Sequence, residues 1–449
     1  MSPFGFTPEN SDEENPKPDD FAAMMRQMQE QIQKQFQELG INPAGFINPF
    51  ANFAPGGKGQ QEALPQNVVR DTAKKFVQAQ GSQPLGTKDV TVVNNALEIA
   101  ELWLNEATVF PASSGGTSPT SLSRLDWVDT TLPGWQATME PLATGLASAI
   151  SGLLDQAMSA QGASDSEGET EALAGSMGAI AGLLRSFIGS LIATQLGQAI
   201  GGISATATGA HDVALPLLDP ARPILVPENI EKWSADLEIP KSEVYLFHAL
   251  REVAIARLFA HNPWIVAYIR SAIVDYGRGI HIDMEAIQRQ AEEAMQNFDP
   301  SQMNPGSAEN SFTIALNNGI FTPEETPEQR AALSKLETAL ALVDGWADEV
   351  TSLAAGDRLP SISQLREMFR RQRATSAPAH LLFKSLLGLE VSPKLAREAS
   401  AFWSKVREEK DVAARDALWS GILPTADELL DPMAFLTSTQ VPDDLSGLL

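Results

Sequence analysis

The chain contains no cysteine among its 449 residues. Disulfide bonds, thiolate zinc sites and cysteine nucleophiles are therefore excluded. Basic residues are also few, 32 against 57 acidic residues, and the formal net charge is −25 at pH 7. Binding to nucleic acid or to an anionic membrane depends on lysine and arginine contacts with phosphate groups, so this charge disfavours both. We expect a protein or peptide partner instead.

The sequence also has no hydrophobic run of the roughly 20 residues that are needed to span a bilayer. Its most hydrophobic segment, residues 178–203, is interrupted by Arg185, Gln195 and Gln198. Small residues recur in this segment at four-residue steps, which predicts a buried packing helix rather than a transmembrane segment. They are Gly189, Ala193, Gly197 and Gly201. The N-terminus lacks the basic and apolar regions of a signal peptide, so we expect a cytoplasmic protein.

Signatures of other enzyme classes are missing too. No G-x-G-x-x-G or G-x-x-x-x-G-K-[ST] motif follows a predicted strand, and no G-x-S-x-G motif is present. The first two motifs bind phosphate groups, and the third carries the nucleophile of many serine hydrolases. Nucleotide-dependent and serine-hydrolase functions therefore have no support.

Helical periodicity runs through most of the chain, and convincing strands are few. The sequence therefore predicts an all-α fold with two regions. Residues 1–62 would hold an acidic, disordered tail, an amphipathic helix at 21–39 and a linker, and residues 63–440 would form a helical domain. The helix at 21–39 carries methionine and phenylalanine on one face. It would either dock on the protein's own core or bind a partner.

Within the domain, one helix start is marked more clearly than the others. Thr326 and Gln329 form a capping box with proline at the first helical position, which predicts that a helix begins at Pro327. The predicted helices are 65–80, 86–107, 121–158, 176–207, 241–261, 264–278, 283–297, 327–353, 361–374, 379–388 and 393–419.

The predicted helix at 241–261 carries an altered form of a zinc-binding motif. In H-E-x-x-H, two histidines on one helical face bind zinc, and the glutamate activates the metal-bound water. Here the sequence reads R-E-x-x-I, with Arg251 and Ile255 at the ligand positions and Glu252 at the position of the general base. A guanidinium group has only donors, and isoleucine has no lone pair, so neither side chain binds a metal. Without a metal, Glu252 has no activated water to use.

Five runs along the chain extend this interpretation. They read LVPENI (225–230), ALREVAIARLFAHNPW (249–264), TPEQRAALSKLETALALVDGWADEV (326–350), LLGLEVSP (386–393) and RDALWSGILPTADELLDP (415–432). In this order they resemble a family of actinobacterial zincin-like proteins, which are described as hydrolases or zinc-dependent metalloproteases. The resemblance covers roughly residues 65–436 and implies a zincin-like fold. In that family the helix typically reads L-R-E-A-A-H, so this chain departs from it at Ile255.

The resemblance also implies an acidic third ligand on a later helix, where this chain has Asp344 followed by glycine. Asp344 would either pair with Arg251 or accompany the glycine at a close helix contact. Glu252 is the other candidate partner for Arg251. His248 lies one turn before Glu252. It would either hydrogen-bond beside the ion pair or join Glu252 and a further carboxylate in an atypical metal site.

The remaining polar candidates form weaker patterns. Four arginines on the predicted helix at 361–374 give a basic face that is either solvated or binds a phosphate-bearing ligand or the acidic tail. They are Arg366, Arg370, Arg371 and Arg373. The other histidines show no common pattern, being His211, His261, His281 and His380.

Two functions are compatible with these residues. The leading prediction is a catalytically degenerate protein on a metallopeptidase scaffold, which acts in binding or regulation and needs no cofactor. The alternative is a zinc-dependent metalloprotease or hydrolase with an atypical metal site. The fold does not decide between them, because function depends on the site.

Overall fold

The structure is a computed structural model that describes residues 64–112, 120–161, 189–190, 192–279, 326–376, 382, 395–420 and 423–438. The chain is mainly helical in these ranges and contains no strand, which confirms the all-α prediction. β-Bridge pairing is limited there to two isolated bridges that Leu225 makes with Ser121 and Gly209. The predicted helices at 21–39 and 283–297 lie outside the described residues, as does the one at 379–388 except for Leu382.

The helices are numbered here in chain order. They are α1 (Gln66–Gln80), α2 (Thr87–Leu104), α3 (Arg124–Gln161), α4 (192–204), α5 (Pro227–Trp233), α6 (Lys241–His261), α7 (Pro263–Arg278), α8 (Pro327–Ala355), α9 (Ile362–Ser376), α10 (Ala396–Glu409), α11 (Val412–Ala417) and α12 (Pro432–Ser438). Short 3₁₀ helices follow at Gly356–Arg358, Leu418–Ser420 and Glu428–Leu430.

Most predicted boundaries agree with the structure within a few residues. The capping box at the start of α8 is present, because Thr326 Oγ1 accepts from the Gln329 backbone and the Gln329 side chain accepts from the Thr326 backbone. The single helix predicted over 393–419 is wrong. It is divided at Lys410, and Asp411 starts α11 by accepting a 2.7 Å hydrogen bond from the backbone N–H of Ala414. A short polar side chain at this position satisfies an amide that the first turn of a helix leaves free.

The glycine-bearing segment is a packing helix in its described part, from residue 192 onward. A Cβ atom added to Gly197 would lie 2.7 Å from the carbonyl oxygen of Val69, and one added to Gly201 would lie 2.8 Å from Cβ of Phe76. Helix α4 therefore approaches α1 more closely than any larger residue would allow. In the part of the chain that the structure describes, no helix combines the length and apolarity needed to cross a membrane.

Helix α6 is the most deeply buried element. Every residue from Val244 to Phe259 is buried, and the helix packs against α2, α5, α7, α8 and α9. A helix enclosed on all sides usually carries apolar residues around its whole circumference. Helix α6 nevertheless carries His248, Arg251 and Glu252, so each of these polar side chains requires a partner inside the protein.

Candidate functional site

Arg251 is bound by a carboxylate from α8. Its Nη2 atom donates a hydrogen bond to Oδ1 of Asp344, and its Nη1 atom lies 3.8 Å from Oδ1 of Asp348. The guanidinium carbon lies 4.2 Å from the ring centroid of Phe369 on α9, which adds a cation–π contact. Arg251 is only 5% exposed. The ion pair between Arg251 and Asp344 that the sequence offered as one alternative is therefore present.

Asp348 is shared by several cationic side chains. Arg366 makes a bidentate contact with it at 3.0 and 2.7 Å, and Arg370 donates to it at 2.6 Å. The hydroxyl of Ser400 donates to the same carboxylate at 2.8 Å. Burial opposes ionisation, but the hydrogen bonds and charges of the arginines hold the pKa of Asp348 well below its usual range. This carboxylate joins α8, α9 and α10.

The solvated basic face considered for α9 is therefore wrong for three of its four arginines. Arg366 and Arg370 face Asp348, and Arg373 binds the side chain of Asp212 at 2.5 Å. Arg371 alone among the four is strongly exposed, and it pairs with Glu367 one turn earlier. The basic residues hold α9 against the site instead of presenting it to solvent.

His248 belongs to a short polar chain that ends at Arg373. Its Nδ1 atom lies 3.1 Å from the hydroxyl of Thr208, and the backbone N–H of Thr208 donates to Asp212 at 2.9 Å. Burial lowers the pKa of His248 to about 3, against the opposing charge of Asp212. His248 is therefore neutral at physiological pH. It packs edge-on against the indole ring of Trp233, with 4.8 Å between ring centroids.

Glu252 points away from Arg251 and into the segment that leads to α5. Its carboxylate accepts hydrogen bonds from the backbone N–H groups of Ala210 at 3.0 Å, His211 at 3.1 Å and Ile224 at 3.1 Å. The Nδ1 atom of His211 adds a fourth contact at 2.9 Å. The proposal that Glu252 pairs with Arg251 is therefore wrong. The donors of Glu252 are mainly backbone groups, which no side-chain pattern in the sequence reveals.

Gly209 shows how closely this segment surrounds the carboxylate. A Cβ atom at this position would lie 2.2 Å from Oε2 of Glu252 and 2.9 Å from the carbonyl oxygen of Ile224. Both distances are well inside van der Waals contact. Glu252 can therefore occupy this position only because residue 209 has no side chain.

The residues at the motif positions do not fit a zinc ion. Arg251 has no lone pair to offer and is turned toward Asp344, while Ile255 is a buried apolar residue. His248 contacts the Thr208 hydroxyl through Nδ1, and Glu252 accepts from backbone N–H groups; a metal site built from these two residues and a further carboxylate stays a prediction. Over the described ranges, no three histidine, aspartate or glutamate side chains are grouped as metal ligands would be.

A cavity of about 380 Å³ opens beside the ion pairs. Its wall is formed by charged residues from α6, α8, α9 and α10 together with a few apolar groups. The lining residues are Arg251, Asp344, Asp348, Phe369, Arg370, Arg373, Ala374, Ala396, Arg397 and Glu398. Both arginines over the Phe369 ring, Arg251 at 4.2 Å and Arg373 at 4.6 Å, belong to this wall.

Sequence reasoning missed several residues of the site. His211 is isolated in sequence, yet it contacts Glu252, which lies 41 positions later. Asp212 and Asp348 are the carboxylates that pair with Arg373 and Arg370. The seven-residue spacing of Arg366 and Arg373 was a usable signal, since a basic stripe on a helix that packs against the rest of the protein requires acidic partners. His261 lies away from this site, where its Nε2 atom contacts the carbonyl oxygen of Pro111 at 3.1 Å. His281 and His380 are outside the described residues.

The described part of the chain is therefore a helical protein in which a buried helix carrying the sequence R-E-x-x-I is faced by a carboxylate from a later helix. Comparison with known proteins identifies the family. Residues 66–436 match the family described as zincin-like metallopeptidase, and the chain belongs to this family. No curated protein matches the sequence.

A solved structure supports the fold. The chain is similar to a protein from Chloroflexus aurantiacus whose crystal structure is described as that of "a putative hydrolase with a novel fold". The TM-score is 0.54, with 16% sequence identity over 84% of this chain and 100% of the other. At this identity the similarity concerns the fold alone.

Proposed function

We propose that the chain is a catalytically degenerate zincin-like protein, which binds a protein or peptide partner without cleaving it. The observation that carries this proposal is the environment of Glu252. Three backbone N–H groups and one imidazole donate to its carboxylate at 2.9–3.1 Å. A general base must have an oxygen within reach of the water that it deprotonates. The oxygens of Glu252 are instead engaged in holding the 208–212 segment.

Arg251 supports the same proposal. A buried guanidinium group beside Asp344 supplies, at this position, the positive charge that a metal ion supplies in an active zincin. A fixed cation of this kind stabilises neighbouring carboxylates, but it neither lowers the pKa of a bound water nor offers an open coordination position. Such an arrangement preserves the scaffold and its surface without the catalytic chemistry.

One observation favours the alternative, a zinc-dependent metalloprotease or hydrolase with an atypical site. Across the described residues, the Nε2 atoms of His211 and His248 are buried and have no hydrogen-bond partner. Both rings border a recess of about 10 Å³, together with Glu252. Imidazole nitrogen is a common zinc ligand. A third ligand from Glu252 would require this carboxylate to release backbone donors, which is why we prefer the non-catalytic proposal.

Metal content and hydrolysis test the proposal together. Untagged protein prepared with added zinc is expected to contain far less than about one zinc per chain and to leave casein uncleaved. Glu252→Gln, purified in parallel, is the control for contaminating proteases, which would act equally in both samples. About one zinc per chain, with cleavage that Glu252→Gln abolishes, would overturn the proposal.

A further inference from the structure

The cavity beside Arg251 has more positive than negative charge in its ion-pair network. Three guanidinium groups, those of Arg251, Arg366 and Arg370, face only two carboxylates, Asp344 and Asp348. The residues that line the cavity include four arginines, Arg251, Arg370, Arg373 and Arg397, and three carboxylates, those of Asp344, Asp348 and Glu398. Arg373 is paired with Asp212, outside the lining. Arginine is therefore in excess among the lining residues.

Two of the three arginines retain unused donors at the cavity. Among the described residues, Arg251 donates one hydrogen bond, to Asp344, and Arg370 donates one, to Asp348. Each guanidinium has five N–H donors. Arg251 and Arg370 both line the cavity, so their remaining donors can reach a ligand there. Paired arginine donors are suited to a bidentate contact with a carboxylate.

A second group at the cavity requires the opposite kind of partner. Glu398 lines it, and the Oε2 atom of this residue is buried without a hydrogen-bond partner in the part of the chain described. A buried carboxylate oxygen left without a donor is costly. The wall of the cavity therefore combines unused arginine donors with the carboxylate of Glu398.

We propose that this cavity binds the C-terminal carboxylate of a peptide. Arg251 and Arg370 contact the carboxylate, Glu398 accepts from a peptide N–H, and Phe369 contacts the terminal side chain. The inference rests on the proposed function as a binding protein and names the end of the partner that is recognised. A peptide fits better than an isolated anion, because the last residue of a peptide carries a carboxylate beside an N–H donor. Ala374 and Arg397 are exposed at the cavity, so a longer chain can continue into solvent.

Because the chain as a whole is negatively charged, a carboxylate ligand can be attracted only by the positive groups next to it in the cavity. The chain carries a net charge of −25, which repels anions at long range. Binding of a carboxylate therefore requires a recess where positive charge is concentrated and partly shielded from water, as it is beside Arg251. A peptide whose remaining residues are neutral or basic suits the net negative charge of the chain.

The test uses full-length protein and the probe N-acetyl-Ala-Ala-Ala in two forms, with a free C-terminal carboxylate and with a C-terminal amide. Binding is measured by saturation-transfer NMR and calorimetry. We expect the free acid to bind about tenfold or more tightly than the amide, because only the acid makes charge-assisted hydrogen bonds. Equal binding of the two forms, or no binding of either up to the solubility limit, would overturn the inference. Binding of inorganic phosphate without binding of the free acid would overturn it as well.

Neighbouring arginines on α9 provide a matched pair of variants. Arg370→Gln should weaken binding of the free acid by about tenfold or more, whereas Arg371→Gln, altering an arginine that pairs with Glu367, should leave it unchanged. Equal effects of the two substitutions would contradict the assignment of Arg370. If Arg370→Gln does not fold, Arg370→Lys keeps the charge and removes the planar fork, and it should still lower affinity. Zinc-dependent hydrolysis of the probe would overturn the proposed function alone, since carboxylate recognition would remain.

Discussion

Arg251 is a strongly polar residue held in the interior by a few specific contacts. It is 5% exposed, pairs with Asp344 and lies over the ring of Phe369. A buried guanidinium group is tolerated because the carboxylate and the aromatic ring replace part of its lost hydration. Removal of the guanidinium group would leave two buried or half-buried carboxylates, Asp344 and Asp348, with less compensating charge.

We therefore expect Arg251→Met to lower the free energy of unfolding by about 3 kcal/mol or more, since breaking a buried ion pair leaves an uncompensated charge. Urea unfolding followed by circular dichroism would measure the change. The matched control is Arg371→Met, which alters an exposed pair with Glu367 and should cost less than about 1 kcal/mol. An unchanged midpoint for Arg251→Met would show that this ion pair does not hold the site together.

For single residues, the sequence predicted some contacts of the site and not others. The contact between Arg251 and Asp344 could be anticipated, because an ionised side chain on a buried helix requires a partner of opposite charge. The partners of Glu252 could not, since they are backbone N–H groups of Ala210, His211 and Ile224. Every residue except proline carries such a donor. Only the three-dimensional path of the chain selects the ones that converge on a carboxylate.

At the scale of elements, α4 places two consecutive glycines in different surroundings. A Cβ atom on Gly201 would lie 2.8 Å from Cβ of Phe76 and 3.0 Å from the carbonyl oxygen of Ala73, both on α1. One on Gly202 would have its nearest neighbour at 4.0 Å, on the Phe76 ring. The first glycine is required for the close approach of the helices, and the second is not.

The two glycines should consequently respond in opposite ways to alanine. Gly201→Ala is expected to lower the melting temperature, since overpacking a tight contact typically costs about 1–3 kcal/mol. Gly202→Ala is expected to be neutral or to raise stability by up to about 1 kcal/mol, because alanine is the better helix former. Differential scanning calorimetry of both variants would measure this. Equal effects would mean that α4 does not pack on α1 as described.

The positions of the helices were predicted more reliably than the points at which a helix is interrupted. Boundaries with a chemical signal, such as the capping box before Pro327, agreed with the structure. The break at Lys410 was missed because alanine-rich sequence on both sides continues the helical pattern, although Asp411 offered a local cap signal. Packing between distant elements, such as that of α9 on α8, depends on charge pairs that the pattern of one helix does not reveal.

At the scale of the whole molecule, the buried polar groups make stability depend on pH. Burial lowers the pKa of His248 to about 3, below its ordinary value of 6.5. The unfolded chain therefore binds a proton at His248 before the folded chain does. The stabilising effect of the neutral imidazole is complete above about pH 6.5 and is lost progressively as the pH falls toward about 3. Asp212 and Asp348, whose pKa values are also lowered, act in the same direction below about pH 4.

His248→Phe should flatten this dependence. In the unmodified protein the free energy of unfolding should fall by up to about 1.4 kcal/mol per pH unit between about pH 6 and pH 4.5, which corresponds to uptake of one proton. The variant removes the titrating group and keeps a ring against Trp233, so its slope should be smaller. Urea unfolding across this range would measure both slopes. His261→Phe, at an exposed position, is the control; a slope unchanged in His248→Phe would assign the pH dependence to other groups.

The fit between Gly209 and Glu252 has a practical meaning for protein engineering. Histidines introduced at 251 and 255 would recreate the letters of a zinc motif, but the carboxylate between them would still be fastened to the backbone at 210, 211 and 224. At Gly209 there is less than a methyl group of clearance between that segment and the carboxylate. If the proposed function is correct, engineering a hydrolase on this scaffold would require changes in the connection between α4 and α5 as well as new metal ligands.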